Sequence, residues 1–509
     1  MWFSKKRSKL FFEAQLALKY LIPKKRSLST ALISLISIGV VSLVVWLILV
    51  FLSVTAGIER NWLAKLTSLQ GPIRVAPTEE YYRSYYYQID SIAASSNFTL
   101  KTIGEKAAGS TVDPYSPFSD MEIPPHWQRP ERASDGTLLD PVKRAVAAIN
   151  ALQQSHAGLK FQDFEIGGAL LKLTLQREGR TTTLSQMSYL LSIGEENPRL
   201  SELLIPNEPN LPFAAYVESG KIVLPQGGAD TPILLPKSYQ MSGVIVGDSG
   251  TLSYGASSAA AQEQRMGIRV AGFYDPGFLS LGNRCLLVPK SVTRALYAVT
   301  QTSSPDGTPT NGFFLWPAPG EDIATLKQAL QERLHSAEVS KYWSVASFDE
   351  YEATRDLLEQ FRSDKVLFTL VGSIILLVAF CNIVSLLILL VHDKKREIAI
   401  LQSMGASFWS IGSIFGLSAL LMGLTSAAIG LGLAHLTLSH IDSVVGFLSA
   451  MQGRAALNPL FFGKELPSQM SVEALTFVLI ATPLLSLLAA LIPAWKASRI
   501  HIATALRSE

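Results

Sequence analysis

The stretch HDKKREIAILQSMGAS, residues His392 to Ser407, opens on a run of charge, turns apolar, and lies between two long oily segments. A charged hinge in such a place reads as a turn at one surface of a membrane. The segment Ile398 to Met404 then reads as a short helix, and Gly405 as the breaker before the next apolar run. Such a helix would lie parallel to the membrane with one face toward the cytosol, in a form that suits a groove of a soluble partner. On spacing alone, a plain membrane loop is the equal alternative.

Working outward, the flanking runs set the class of protein. Of 509 residues, 48 % are hydrophobic and only 17 % charged, which is too apolar for a soluble chain of this size. Charge-free runs cover Ala31 to Thr55, Val366 to Val391, Trp409 to Ala434 and Ala474 to Trp495. Each reaches the ~20 residues that cross a hydrocarbon core of ~30 Å. The first run, 25 residues long, exceeds the ~7–15 of a cleaved signal segment, so it reads as an uncleaved anchor.

Basic residues cluster before the first run (Lys5, Lys6, Arg7, Lys9, Lys19, Lys24, Lys25, Arg26), after the second (Lys394, Lys395, Arg396) and after the fourth (Lys496, Arg499, Arg507). The positive-inside tendency makes these regions cytoplasmic. Residues 1–30 are then a cytosolic leader with an interfacial helix at Leu10 to Leu21, 392–408 a cytosolic segment, and 496–509 a cytosolic tail. Residues 56–365 form a large extracytoplasmic domain, and 435–473 an extracytoplasmic loop. Cys285 and Cys381 have neither a disulfide partner nor metal-ligand spacing.

Ile58, Trp62, Leu63, Leu66 and Leu69 continue the first span at helical spacing as a stalk, until Gly71 and Pro72 stop it. Ser347 and Glu350 make a capping box. From there, one helix of more than forty residues is expected to run through Val391 as a second stalk. Between the stalks, Ile73 to Ala76 and Phe98 to Ile103 read as strands and Asp140 to Gln154 as a helix. Residues 159–289 read as a β-rich subdomain, with strands at Leu171 to Leu175, Lys221 to Leu224, Gly243 to Val246, Ile268 to Phe273 and Arg284 to Val288. Helices return at Val292 to Val299 and Ile323 to Leu334. The run Tyr81 to Tyr87 reads as a loop or strand near the bilayer, and no basic patch accompanies it to indicate nucleic acid.

No phosphate-binding G-x-x-x-x-G-K-[ST] loop, nucleophile elbow or H-E-x-x-H occurs in the sequence. No catalytic, metal or cofactor residues are therefore assigned. From Val366 onward, Asn382 is the strongly polar side chain within the spans, where an ion-driven transporter would show ionisable groups; it reads as a bond across a helix interface. Gly412 and Gly416 form a G-x-x-x-G that lets helices approach closely.

The sequence Glu397-Ile398-Ala399-Ile400-Leu401 followed by Met404-Gly405-Ala406-Ser407 resembles the coupling segment of FtsX-like ABC permeases. That superfamily includes MacB-type exporters and Lol-type lipoprotein-releasing permeases. Ile492 to Arg499 and Ala505 to Arg507 resemble its terminal signature. Ser34 to Ile38, Ser53 to Glu59, Arg269 to Tyr274 and Gly277-Phe278 resemble the lipoprotein-releasing branch. Gln402 stands where a basic residue is usual, and Ile502 where proline is common.

The resemblance implies an α-helical membrane protein with four transmembrane helices and a large mixed α/β, MacB-like periplasmic domain with a β-rich insert. It implies coupling through Lys395, Glu397, Ile398, Leu401, Met404 and Gly405 to a cytosolic ABC ATPase dimer, which holds the ATP and Mg. A second permease, a sister chain or a copy of this one, completes the implied complex in a bacterial inner membrane, with both termini cytosolic. Lipoprotein cargo would enter from the lipids of the outer leaflet, through a cleft at Val45, Leu49, Leu52, Val366 and Leu370, and leave on a periplasmic carrier. The loop Asp248 to Gln264 is the candidate docking point for that carrier, although a plain flexible loop is the simpler reading. Alternatives are an FtsX-type regulator of a cell-wall hydrolase, which usually has a smaller outer domain, and a MacB-like exporter, which commonly carries its own ATPase.

This topology predicts a labelling pattern in a chain whose Cys285 and Cys381 are replaced by serine. Cysteines at Ser258 and Gln452 should react with an impermeant maleimide in sealed spheroplasts, and ones at Ser27 and Ser407 only after lysis. Outside labelling of Ser407 would contradict the four-span arrangement.

Overall fold

The computed structural model describes residues 28–109, 113–177, 180–193, 216–218, 221–223, 230–256, 262–276, 284–300, 310–453 and 468–498. The expected leader helix, Ser258, Gly277-Phe278 and the terminal signature from Arg499 onward lie outside the described residues. The chain divides into two compact units, Met1–Asn61 with Glu359–Glu509, and Trp62–Leu358. Helix α1 (Leu28–Gln70) has 43 residues, about twice what a bilayer requires. It stops where Gly71 takes a φ of +67°, a conformation that costs glycine little, and Pro72 follows.

In the Trp62–Leu358 unit, β1 (Ile73–Pro77) leads into two short helices, α2 (Glu79–Arg83) and α3 (Tyr85–Gln88). The tyrosine run is thus neither loop nor strand. Ser84 separates the two helices by accepting from the Tyr87 amide, and the turns send Tyr81 and Tyr85 into the interior. Beside Tyr87, the Lys106 ammonium pairs with the Asp90 carboxylate at 2.7 Å; burial pushes its pKa below the usual lysine value, and Asp90 opposes that shift. The expected strand at Phe98 to Ile103 is also absent. Asn97 and Phe98 have positive φ, and a capping box of Thr102 with Glu105 starts helix α4 (Ile103–Ala108), so local side-chain capping outweighs β-propensity. Helix α5 (Pro141–Ser155) forms as expected, behind an Asp140 N-cap.

The β-rich stretch comprises β2 (Lys160–Arg177), β3 (Arg180–Ile193), β4 (Tyr216–Glu218), β5 (Lys221–Val223), β6 (Thr231–Pro236), a short helix α6 (Lys237–Met241), β7 (Ser249–Ala256), β8 (Gln262–Tyr274) and β9 (Cys285–Pro289). Gly243 to Val246 is a turn rather than a strand, with Gly243 and Gly247 both at positive φ. Helix α7 (Lys290–Thr300), strand β10 (Asn311–Trp316), helix α8 (Ile323–Ser336) and strand β11 (Trp343–Ser347) complete the unit.

The large sheet runs β11-β1-β10-β2-β3-β9-β6-β8-β7, and β7 pairs back onto β2, Leu170 to Thr174 against Ser249 to Ser253. Six strands therefore close a ring, which removes the free edges that an open insert would expose. Leu171, Leu173, Ile233, Leu252, Ile268 and Val270 fill its interior. The alternation of Ala169, Leu171, Leu173 and Leu175 places every second residue of β2 inward. The opposite end of β2 joins β10, β1 and β11, against which α5 and α8 bury Ile149, Leu152 and Leu330.

Helix α9 (Glu352–Asp393) passes into the other unit at Glu359, and α10 (Lys395–Ser403), α11 (Phe408–Ser439), α12 (Ile441–Gln452), α13 (Val472–Ala489) and α14 (Leu491–Ser498) follow in order. With α1, there are four helical segments among the described residues that are long and apolar enough to cross a membrane. Three expectations need correction. The box of Ser347 and Glu350 closes only a single 3₁₀ turn, and Tyr351 is extended, so the long helix begins at Glu352 rather than Phe348. The fourth span is two helical pieces that meet at Ala490, where Pro493 has no N–H to return to the preceding turn. The stretch 435–473 is not simply a loop, for it holds the end of α11 and all of α12.

Lipid gives apolar helices no hydrophobic reason to associate, so close backbone approach must do so. On α11 the residues Ala419, Gly423, Ser426, Gly430 and Ala434 supply it. A Cβ at Gly430 would lie 2.5 Å from Val45 Cγ1 and 2.8 Å from the Ser42 carbonyl, and one at Gly423 would collide with the Ser486 hydroxyl. The Ser426 hydroxyl donates to the Ile38 carbonyl at 3.2 Å. In contrast, Gly412 faces open space and Gly416 makes only an ordinary contact with Leu487 at 3.6 Å.

Gly430→Leu should accordingly destabilise the membrane unit by at least the ~1–3 kcal/mol typical of overpacking, while Gly412→Leu is tolerated. Size-exclusion profiles and melting of the chain in detergent check this. Equal behaviour of the two variants would contradict the assigned seam.

Candidate functional site

Helix α10 is made by its two ends. Lys394 sits at its N-cap with its ammonium 2.7 Å from Glu397 Oε1. At the other end, the Ala406 amide donates to the Leu401 carbonyl and the Gly405 amide to the Gln402 carbonyl, both at 3.0 Å. Gly405 has a φ of +93°. This is a Schellman stop, in which the residue at Gly405 must be left-handed. Ser407 then caps α11 by accepting from the Ser410 amide. An added Cβ at Gly405 would meet nothing within 4 Å, so the glycine serves the turn and not a close approach.

Around α10, Ile398 and Ala399 are buried at 1 and 0 % exposure, while Met404 is 80 % exposed. Ile398 packs into the cluster of Val391, Ile411 and Ala497, and the Gln402 amide reaches the Ala497 carbonyl at 3.4 Å. The inner face therefore holds the helix to the bundle. Lys395, Arg396, Glu397, Ile400 and Met404 form the outer face, with Leu401 at its border. Among the expected coupling residues, Lys395, Glu397 and Met404 face outward, while Ile398 is an anchor. Arg396, Ile400 and Trp409 are exposed as well and were not among the expected residues. The spacing Arg396, Ile400, Met404 at i, i+4, i+8 was the available signal.

The five residues of the expected cleft do not line one surface. Val45 and Leu49 are fully buried in the helix cluster, Leu52 is half-buried, and Val366 and Leu370 are 62 and 56 % exposed on α9. A hollow of about 170 Å³ instead lies between Leu52, Thr55 and Ala56 of α1, Thr369 of α9, and Ala474 and Phe477 of α13. Its rim carries Glu59 and the ion pair of Lys365 with Glu473. The Ser471 amide, donating to the buried Ser53 hydroxyl at 3.0 Å, ties α1 to the start of α13 there. Asn382 is half-buried on α9, and no hydrogen bond joins it to another helix among the described residues.

The stretch Asp248 to Gln264 is mostly paired backbone. β7 and β8 pair antiparallel from Ser249–Arg269 to Ala256–Gln262, so most of the expected loop is strand; residues 257–261 lie outside the described residues.

Residues 369–502, covering the last three spans and α10, match the model for the FtsX-like permease C-terminal family. The chain is 35 % identical over 154 residues to the lipoprotein-releasing system transmembrane protein LolC of Haemophilus influenzae, an alignment that covers 30 % of this chain and 36 % of that protein. It is 33 % identical over 132 residues to LolE of the same organism, covering 26 and 32 %, and 28 % identical over 158 residues to LolC of Neisseria meningitidis, covering 31 and 38 %. The chain thus spans about a third of the length of the curated relatives it matches. Within that span, α10 and the helices that hold it match the FtsX-like permease C-terminal family, and the chain is similar there to Lol-type lipoprotein-releasing transmembrane proteins.

Proposed function

We propose that this chain is the permease subunit of an ABC transporter of the lipoprotein-release type. It takes lipid-anchored proteins from the outer leaflet of a bacterial inner membrane and passes them to a periplasmic carrier. The observation that carries this reading is α10, a nine-residue helix anchored by Ile398 and Ala399 and presenting Ile400, Met404 and a charged edge. An apolar patch ringed by charge suits the groove of a soluble partner, with apolar anchors giving affinity and the edge giving register. A separate cytosolic ATPase dimer binds and hydrolyses ATP with Mg. Its closure moves α10, and with it α9 and α11, to which α10 is joined by single turns. A second permease, whether a copy or a sister chain, engages the other half of the ATPase dimer.

The spans hold no ionisable pathway, and in a mechanotransmitting permease the cargo never crosses the bilayer. The hollow at the outer end of α1, α9 and α13 replaces the cleft first expected from sequence. Leu52, Ala474 and Phe477 give an apolar wall for acyl chains, and Lys365 with Glu473 and Glu59 a polar rim for the head of the lipid anchor. The two-part domain, sheet with helices and closed strand ring, is read as a periplasmic domain of the MacB type. Its β7–β8 hairpin is the projection on which a carrier would dock.

Ile400→Glu with Met404→Glu should weaken binding of the partner ATPase about 10- to 100-fold, the cost of losing one or two interface anchors, without disturbing the inner face. Copurification and ATPase turnover in reconstituted membranes measure it. Undiminished binding and turnover would mean that α10 is a plain membrane loop.

A further inference from the structure

Helix α12 has no role in the coupling scheme, and its surface is unusual. Its 12 residues contain one charge, Asp442 in the first turn. Val444, Phe447, Leu448 and Met451 recur at i, i+3, i+4 and i+7, which places them on one face, yet they are 37, 65, 42 and 72 % exposed. Ile441, at the border of the same face, is 8 % exposed and fixes the start of the helix against the bundle. The opposite face carries Asp442, Ser443, Gly446, Ser449 and Ala450.

Where this face lies follows from α11. Its 32 residues reach about 48 Å at ~1.5 Å per residue, close to the ~40–45 Å of a whole bilayer with its headgroups. A modest tilt ends α11 in the headgroup layer. Only His440 separates it from α12, and the Val444 amide already donates to the His440 carbonyl at 3.2 Å. The chain has no length in which to leave the interface before the apolar face begins.

We propose that α12 is an interfacial helix, lying in the leaflet where the third span ends, with Val444, Phe447, Leu448 and Met451 at the acyl boundary. The occupant of its apolar face is lipid. An amphipathic helix so placed is held by its buried apolar area, and it fixes the depth of α11 while neighbouring helices move. The inference requires only that α11 crosses a bilayer, so it stands or falls independently of the cargo and of the ATPase.

The test uses the full chain with Cys285→Ser and Cys381→Ser in phospholipid nanodiscs, spin-labelled singly at Phe447→Cys, Met451→Cys, Ser443→Cys or Ala450→Cys. Collision with oxygen and with a water-soluble nickel chelate is read by paramagnetic resonance. The ratio of oxygen to nickel accessibility should be several-fold higher at 447 and 451 than at 443 and 450. High nickel accessibility at 447 and 451 would place the face in water. Low accessibility to both reagents there would mean that protein covers it, whether residues 454–467 of this chain or a second copy. Either result overturns the proposal.

Discussion

The thickness of a bilayer governs how this chain can be arranged. A hydrocarbon core of ~30 Å takes up ~20 helical residues, whereas α1 has 43 residues and α9 has 42. About half of each helix therefore has to lie beyond the apolar layer. The boundary between the two compact units falls inside both helices, at Asn61/Trp62 and Leu358/Glu359. Neither helix has an internal proline, and the hydroxyls of Thr369, Ser373 and Ser385 donate to carbonyls one turn back in α9. Each of these hydroxyls is satisfied by its own helix, as a lipid environment demands.

A second constraint follows from the same solvent. Leucine-rich faces gain nothing by leaving lipid, so the seam along α11 depends on glycine, serine and alanine for close approach, with Val45, Leu49, Leu387 and Phe415 filling the cluster beside it and many other large side chains facing outward. Water reverses this logic in the other unit, where leucine, isoleucine and valine fill the strand ring and the core between sheet and helices. One chain thus uses two packing rules. Helix α10 lies where the rules meet, with a buried inner face and an outer face that mixes apolar side chains with charge.

Periodic features were legible in the sequence. The four spans, the stop at Gly71-Pro72, α5, α7, α8 and much of the β-rich stretch rest on hydrophobic period and on caps, which are local. Features decided by contacts distant in sequence were not. β10 and β11 are short runs whose partners lie far along the chain, and the closing of β7 onto β2 leaves no local mark. The tyrosine run misled because aromatic composition does not say which side is buried. Of Gly412 and Gly416, the second meets Leu487 of another helix and the first faces open space, because the G-x-x-x-G spacing alone does not say how closely each glycine is approached. Helix α10 was legible in its charge and its glycine, but spacing alone did not separate the buried Ile398 from the outward Ile400. The expected cleft failed because it was placed by depth along the spans, without regard to which way each side chain points around its helix.

The proposed mechanism requires that α9 work as one rigid element, passing a movement of α10 along its whole length. Inserting Gly-Gly-Ser between Arg362 and Ser363 puts a flexible break in that helix while leaving the described cores untouched, because neighbouring residues are mostly exposed and a break there absorbs movement as local bending. In the reconstituted complex, ATPase turnover and transfer of a labelled lipoprotein to its carrier are measured together. Turnover retained with transfer lost is the result predicted. Transfer at the unmodified rate would show that the helix is only a tether, and would contradict the mechanism.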